Sequence, residues 1–210
     1  MTELVNLAAL KDARVNQQPY PYFVVEQSLM TDKVDAIMQD FPLINEGGSF
    51  TLEDTASGPQ FDALIDELNG TLFRQQISEK LDLDLSILPM IVTLRGYSRE
   101  KDGRIHTDSK SKIATILIYF NEQWTAQGGK LRILNSDNME DSVAEIVPNA
   151  GAMLGFRVTD NCWHGHPPFE GSRRSIQINF VADDAAVKKH HNRHGFTAKL
   201  KGIKKLFSGS

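Results

Sequence analysis

The chain has 210 residues, of which 40% are hydrophobic and 24% are charged, and its formal net charge is −4. This composition is typical of a globular protein and excludes a wholly disordered chain, a collagen-like repeat and a coiled coil. The longest apolar stretch, residues 113–120, has eight residues, whereas a helix that crosses a bilayer needs about 20.

The first third of the chain predicts a mixture of helix and strand. Residues 20–26 form a short apolar and aromatic run beside two prolines, which predicts an edge strand. Thr31 is the predicted N-cap of an amphipathic helix that ends before Pro42. A surface loop rich in glycine, serine and threonine follows over residues 45–59. Two further helices are predicted, at residues 61–68 and 72–81.

From residue 89 onward the pattern changes to short strands. Runs rich in β-branched or aromatic residues alternate with turn residues and predict strands at 91–94, 114–120, 130–134, 143–147, 152–158 and 175–181. Strands of this length and spacing are typical of an antiparallel sandwich or barrel. We expect one domain over residues 1–187, with a helical layer over about 1–88 and a β core over about 89–182.

Three side chains could meet at one metal ion. His106 and Asp108 are two residues apart, just before a predicted strand, and in an extended segment such residues face the same side. A second imidazole comes from His164 or from His166. We favour His164, because two prolines directly follow His166 and constrain its backbone. Two histidines and one carboxylate on one face of a metal form the ligand set of non-haem Fe(II) oxygenases.

The last predicted strand has one polar face and one apolar face. Arg173, Ser175, Gln177 and Asn179 alternate with Ile176, Ile178 and Phe180. A row of polar groups is expensive to bury without a polar ligand, and a guanidinium can bind a carboxylate through two hydrogen bonds. Arg174 is adjacent, and a shift of one residue would exchange the two arginines. The alternation favours Arg173 as the residue on the polar face.

The ordered set of motifs over about residues 91–181 resembles the Fe(II)/2-oxoglutarate-dependent dioxygenases, in particular their prolyl-hydroxylase-like branch. The resemblance rests on the His106-Thr107-Asp108 motif, on residues 118–124, 128–133 and 151–157, and on Trp163-His164 followed by Arg173. It implies a mostly β fold with flanking helices, in which a double-stranded β-helix (jelly roll) forms the core and the N-terminal helices form a layer on it.

The resemblance also implies the roles of individual residues. His106, Asp108 and His164 would bind Fe(II), and Arg173, with the hydroxyl of Tyr119, would bind the distal carboxylate of 2-oxoglutarate. From the residues alone, Tyr119 fits a packed core position equally well. In such enzymes 2-oxoglutarate chelates the iron through its keto and proximal carboxylate oxygens.

The implied activity is that of an oxygenase with an unidentified substrate. Hydroxylation of a small molecule or a peptidyl residue by O2 would release succinate and CO2. The alternative is a jelly-roll metal-binding module, cupin-like or a sensor, without oxygenase activity. Arg95 and Arg104 are available to anchor an anionic substrate, although solvated surface charge is the commoner reason for such residues.

The C-terminal tail differs in charge from the rest of the chain. Residues 188–210 hold seven Lys or Arg residues and no Asp or Glu. Their apolar residues recur at helical spacing, which predicts a basic amphipathic helix able to lie on an anionic membrane. A helix docked on the acidic remainder of the protein, or a frayed terminus, fits the same pattern.

The remaining expectations concern partners and location. Basic residues do not alternate with aromatic ones, so we do not expect a nucleic-acid partner. The only cysteine, Cys162, cannot form an internal disulfide, which is typical of a reducing compartment. We expect a cytoplasmic protein that its tail can bring to a membrane surface.

Overall fold

The computed structural model describes residues 3–183, 185 and 187. Its helices are α1 (Leu7–Asp12), α2 (Val34–Asp40), α3 (Pro59–Asn69) and α4 (Thr71–Leu81). Its strands are β1 (Val15–Asn16), β2 (Tyr22–Val25), β3 (Met90–Ser98), β4 (Lys112–Tyr119), β5 (Leu131–Leu134), β6 (Ser142–Ile146), β7 (Met153–Arg157), β8 (His164–Gly165) and β9 (Gly171–Val181). Within this part of the chain, no helix combines the length and apolarity needed to cross a membrane.

The strands form two antiparallel sheets. The larger sheet has six strands in the order β1-β2-β7-β4-β9-β3, and the smaller has three in the order β6-β5-β8. Strands β7 and β4 lie at the centre of the larger sheet, β9 pairs with the other side of β4, and β3 pairs with the other side of β9. The prediction of a mostly β fold with flanking helices is therefore confirmed.

Alternation along the central strands creates two cores. On β4, Ile116 and Ile118 face a core that they share with buried residues of α3 and α4. Leu117 and Tyr119 face the opposite side, where they share a second core with Leu131 of β5. The period of two in a strand explains this division, since successive side chains point to opposite faces. The helices thus cover one face of the larger sheet, and the smaller sheet lies against the other.

Two local predictions are wrong. The helix predicted to start from an N-cap at Thr31 begins at Val34 with Lys33 as its N-cap, because residues 31–33 form a turn instead. The predicted edge strand, now β2, lies between β1 and β7. Pro19 and Pro21 precede β2, so they remove no hydrogen bond from its ladder.

Several elements have no clear sequence signal. Helix α1 has six residues, and β1 and β8 have two each, lengths at which periodicity carries little information. Residues 45–58 contain no helix or strand, as predicted for that loop. The predicted amphipathic tail, residues 188–210, lies outside the described residues.

Candidate metal centre and adjoining cavity

The backbone brings the two predicted histidines side by side. The His106 N–H donates to the His164 carbonyl and the His164 N–H donates to the His106 carbonyl, at 3.0 Å each. This isolated bridge holds the two imidazole rings with their centroids 4.3 Å apart. His164 lies in β8, which pairs with β5 of the smaller sheet, so the bridge also fixes the segment before β4 against that sheet.

Hydrogen bonds orient both imidazoles. Nδ1 of His106 lies 2.8 Å from the Arg104 carbonyl, and Nδ1 of His164 lies 2.8 Å from the Cys162 carbonyl. A carbonyl only accepts, so each Nδ1 carries the proton and each Nε2 presents a lone pair. Burial, with a smaller contribution from His106, lowers the pKa of His164 to about 4. Its ring is therefore in the neutral form that binds metals.

Asp108 is buried, and both of its carboxylate oxygens are held by β4. The Lys112 ammonium donates to Oδ1 at 2.6 Å, and the Thr115 hydroxyl donates to Oδ2. Burial alone would raise the pKa of Asp108, but the charge of Lys112 and these hydrogen bonds hold it below its ordinary value. The Asp108 N–H faces the Cys162 sulfur at 3.4 Å. The carboxylate therefore stays ionised in a fixed orientation.

The three side chains converge as potential ligands. One ligand atom from each of His106, Asp108 and His164 lies within 4.8 Å of the other two. Two imidazole nitrogens with free lone pairs and one carboxylate oxygen fit a non-haem Fe(II) ion. Only His106 of the His106-Thr107-Asp108 motif forms a bridge, and the next two residues lie outside the named strands. Contacts of His106 with His164 and of the Asp108 N–H with Cys162 hold the motif in place.

A cavity of about 320 Å³ adjoins this group, and His106 and His164 form part of its wall. The polar face of β9 also lines this cavity, with Arg173, Ser175 and Gln177. The Ser175 hydroxyl is buried and has no hydrogen-bond partner among the described residues. A buried hydroxyl without a partner is costly, and this one can be satisfied by a polar molecule in the cavity.

Arg173 and Arg174 face different surroundings. The Arg173 Nε donates to the Gly129 carbonyl at 2.8 Å, and its Nη2 lies 3.4 Å from the Tyr119 hydroxyl. Arg173 is 6% exposed, and no carboxylate among the described residues forms an ion pair with it. Arg174 instead points toward α2, where it donates to the Met38 carbonyl. Burial raises the pKa of Tyr119, so its hydroxyl keeps its proton.

His166 lines the cavity without joining the group of potential ligands. Its Nδ1 lies 2.9 Å from the Pro167 carbonyl, and its ring packs on Gly103, where a Cβ atom would lie 2.2 Å from the ring. Gly103 also has φ +78°, a conformation that other residues rarely adopt. Burial, followed by the charge of Arg173, lowers the pKa of His166 to about 4.

Three residues that support the group were not predicted. Lys112 and Thr115 hold the Asp108 carboxylate, and Cys162 orients His164 through its carbonyl. A lysine four residues after the aspartate is the only local signal, and such spacing is common on any surface. The Cys162 thiol is buried, and that burial raises its pKa.

The two low histidine pKa values predict a loss of stability in acid. In the metal-free protein, the unfolded chain binds protons on His164 and His166 below pH 6.5, whereas the folded protein does so only near pH 4. The free energy of unfolding should therefore fall between these pH values, by up to about 1.4 kcal/mol per pH unit for each imidazole.

Urea unfolding at a series of pH values, with a chelator present, measures this loss. We expect His166→Gln to have about half the wild-type slope. His190→Gln, outside the described residues, is the matched control and should keep the full slope. A wild-type free energy that is constant over this pH window would contradict the prediction.

The comparisons with known proteins agree with this geometry. Residues 92–181 match the model of the 2OG-Fe(II) oxygenase superfamily. No protein with a curated description matches the chain in sequence. The matched segment contains all three potential metal ligands, as well as Tyr119 and Arg173. The predicted cofactors, Fe(II), 2-oxoglutarate and O2, are those that define this superfamily, which confirms that prediction.

Solved structures share the fold at low identity. A prolyl-4-hydroxylase from Pseudomonas putida is 19% identical with a TM-score of 0.58, over 84% of this chain and 98% of that chain. A prolyl 4-hydroxylase from Phytophthora capsici is 17% identical with a TM-score of 0.54, over 77% and 58%. The viral collagen prolyl hydroxylase of Paramecium Bursaria Chlorella virus-1, solved with 2OG, is 15% identical with a TM-score of 0.50, over 77% and 96%. The predicted double-stranded β-helix is therefore confirmed, and the resemblance to prolyl hydroxylases is a resemblance of fold.

Proposed function

Because residues 92–181 match the 2OG-Fe(II) oxygenases, we propose that this chain is a hydroxylase that uses Fe(II), 2-oxoglutarate and O2 and releases succinate and CO2. The observation that carries the proposal is the convergence of His106, Asp108 and His164 within 4.8 Å, beside a cavity that is also lined by Arg173, a buried guanidinium without a carboxylate partner among the described residues. Bound Fe(II) supplies the redox chemistry by which O2 oxidises both the co-substrate and the substrate.

The protein's own residues would hold and orient that metal. His106 and His164 offer Nε2, because backbone carbonyls engage Nδ1 of both rings. Lys112 and Thr115 keep the Asp108 carboxylate ionised and aimed. A carboxylate that is already fixed and deprotonated loses little entropy and no proton when it binds a cation.

The polar face of β9, together with Tyr119, would bind the distal carboxylate of 2-oxoglutarate. Arg173 is buried without a carboxylate partner, and the Tyr119 hydroxyl lies beside its guanidinium. Ser175, two residues from Arg173 on the same face of β9, adds a hydroxyl that has no partner. One carboxylate bound here would satisfy all three groups at once, and His106 and His164 line the same cavity.

The alternative of a cupin-like or sensor module is not favoured. A metal site alone gives no reason to bury Arg173 in the same cavity without a carboxylate partner, since an uncompensated buried charge is costly. The family match also favours an oxygenase. The substrate class, a small molecule or a peptidyl residue, is that of the superfamily.

Release of succinate tests the proposal. We expect the full chain, incubated in air with Fe(II), ascorbate and 2-oxoglutarate, to form succinate slowly, and a true substrate to raise the rate and gain one oxygen atom. His190→Ala, distant in sequence from the proposed ligands, should behave as the wild type, whereas His106→Ala should form none. Equal succinate from the wild type and His106→Ala would contradict the proposal.

A further inference from the structure

A second arginine faces the same cavity as Arg173. Arg95 lies on β3 and is paired in register with Ser175 of β9, so the two side chains share the inner face of the sheet. Arg95 lines the cavity together with Arg173 and His106. The sequence alone favours a solvated surface position for Arg95, and the strand register shows that it points inward instead.

A bulge separates the two arginines along the sheet. The register of β3 and β9 shifts between Arg95 and Tyr97, which pair with Ser175 and Ser172. One extra residue of β9 therefore lies in this interval, which contains Arg173. Bulges commonly re-aim side chains beside active sites. Here the bulge lets Arg173 turn toward Gly129 and Tyr119 while Arg95 stays on the neighbouring strand.

Within residues 3–183, no hydrogen bond or ion pair engages the Arg95 guanidinium. Asp102, an acidic residue of the same cavity, is already paired with Arg99 at 2.9 Å. Burial, followed by the charge of Arg173, lowers the pKa of Arg95. Two guanidiniums that face one cavity without carboxylates between them indicate a site for more than one anionic group.

The charge balance of the cavity also favours the binding of a second anionic group. Four cationic side chains line it against one carboxylate: Arg95, Lys101, Arg104 and Arg173 against Asp102. The proposed ligand Asp108 adds a second negative charge. On the proposed function, the charges of Fe(II) and of the 2-oxoglutarate dianion cancel, so an excess of about two positive charges remains. Both carboxylates of 2-oxoglutarate are then accounted for, one by Arg173 and one by the metal.

We propose that Arg95 binds an oxyanion group, a phosphate or a carboxylate, of the substrate itself. This inference rests on the proposed function, since it assigns Arg173 to 2-oxoglutarate and leaves Arg95 for the second anion. Lys101 and Arg104, both exposed at the same cavity, would attract that anion toward it. The substrate class is therefore an anionic molecule whose charged group lies within reach of the metal centre.

Sulfate, a dianion that binds Fe(II) weakly, is the probe for this site. In anaerobic calorimetry, the full chain saturated with Fe(II) and 2-oxoglutarate should bind sulfate, and Arg95→Met should bind it at least about tenfold more weakly. Arg95→Lys should keep part of the affinity. The matched control Arg14→Met, which removes an exposed charge outside the cavity, should bind as the wild type. Equal affinity in Arg95→Met would overturn the inference.

Two further outcomes show whether Arg95 binds an anionic group of the substrate or 2-oxoglutarate. If Arg95 instead binds 2-oxoglutarate, Arg95→Met will weaken the binding of 2-oxoglutarate as strongly as Arg173→Met does, which would overturn the inference. Sulfate that competes with 2-oxoglutarate would do the same, because it would occupy the Arg173 site. We expect sulfate and 2-oxoglutarate to bind together.

Failure of the proposed function would be recognised separately. If the wild type does not bind 2-oxoglutarate, sulfate titration of the metal-free Arg173→Met variant still tests Arg95, because the second guanidinium of the cavity is then absent. We expect this variant to bind sulfate and Arg95→Met combined with Arg173→Met to lose that binding. A guanidinium kept for binding also costs stability, so Arg95→Met should raise the urea midpoint. A lower midpoint would mean that Arg95 has a structural role, contrary to the inference.

Discussion

We expect Asp108→Asn to release succinate at least about 100-fold more slowly than the wild type, because losing even the hydrogen-bond partner of a metal ligand commonly costs 10–100-fold. The amide is nearly the same size as the carboxylate but carries no charge, so it is a much weaker ligand for Fe(II). The measurement is succinate release in air, together with the Fe(II) concentration needed for half-maximal rate.

The folded state of this variant needs its own control. Asp108→Asn leaves the Lys112 ammonium, 16% exposed, without its partner, which we expect to cost about 2 kcal/mol or more of stability. Asp108→Asn combined with Lys112→Met removes that unpaired charge and should recover most of the stability without recovering activity. Asp160→Asn, which loses an exposed ion pair with Lys110, is the matched control and should keep both.

Each outcome of these variants has a definite meaning. If the double variant regained both stability and activity, Asp108 would serve only to fold the protein, and the proposed metal site would be wrong. If Asp160→Asn lost activity to the same extent, the assay would be reporting surface charge rather than the metal centre.

Replacing Arg173 should have the second largest effect, on 2-oxoglutarate. We expect Arg173→Met to raise the KM for 2-oxoglutarate by about 100-fold, because removing one partner of a buried charge pair costs about 2–5 kcal/mol. The Tyr119 hydroxyl makes a weaker contribution, and Tyr119→Phe should raise the KM by about fivefold. Initial rates of succinate release over a range of 2-oxoglutarate concentrations give both values.

Arg174→Met is the matched control for this prediction. Arg174 is the adjacent arginine, but it points toward α2 and away from the cavity. Its KM for 2-oxoglutarate should stay within about twofold of the wild type, because its guanidinium contacts Met38 rather than the cavity. A larger effect of Arg174→Met than of Arg173→Met would contradict the assignment of the carboxylate to Arg173.

The strands and the polar face of β9 could be predicted because their signals are local. Alternation places Arg173 and Ser175 on one face and Ile176 on the other. The structure follows that division, because Arg173 and Ser175 line the cavity and Ile176 lies in the core that contains the helices. The helices at 61–68 and 72–81 were predicted from their apolar spacing. In the structure the first spans Pro59–Asn69, three residues more, and the second spans Thr71–Leu81, one residue more. Periods of two and 3.6 residues are visible in any short window of sequence.

The details of the metal centre depend on contacts that no local pattern encodes. The bridge between His106 and His164 joins segments far apart in the chain, and nothing near either residue predicts it. The same is true of the Cys162 carbonyl that orients His164. Arg95 shows the limit most clearly, because only the register of β3 with β9 reveals that its side chain faces the cavity.

The Thr31 prediction failed for a related reason. Threonine is a good N-cap, but the N-cap of this helix is Lys33, two residues after Thr31, and the helix begins at Val34. A cap preference is worth only about 1 kcal/mol, so the packing of Ile37 in the core decides where the helix lies. Tertiary contacts of this kind outweigh the preference of a single residue.

The most direct measurement is the visible absorption of the full chain when Fe(II) and 2-oxoglutarate are added without O2. Chelation of iron by a keto acid in a site built from His106, Asp108 and His164 should produce a weak charge-transfer band. We expect this band in the wild type, its absence in His106→Ala, and a higher 2-oxoglutarate requirement in Arg173→Met. A wild-type protein that binds Fe(II) but shows no band at saturating 2-oxoglutarate would contradict the account.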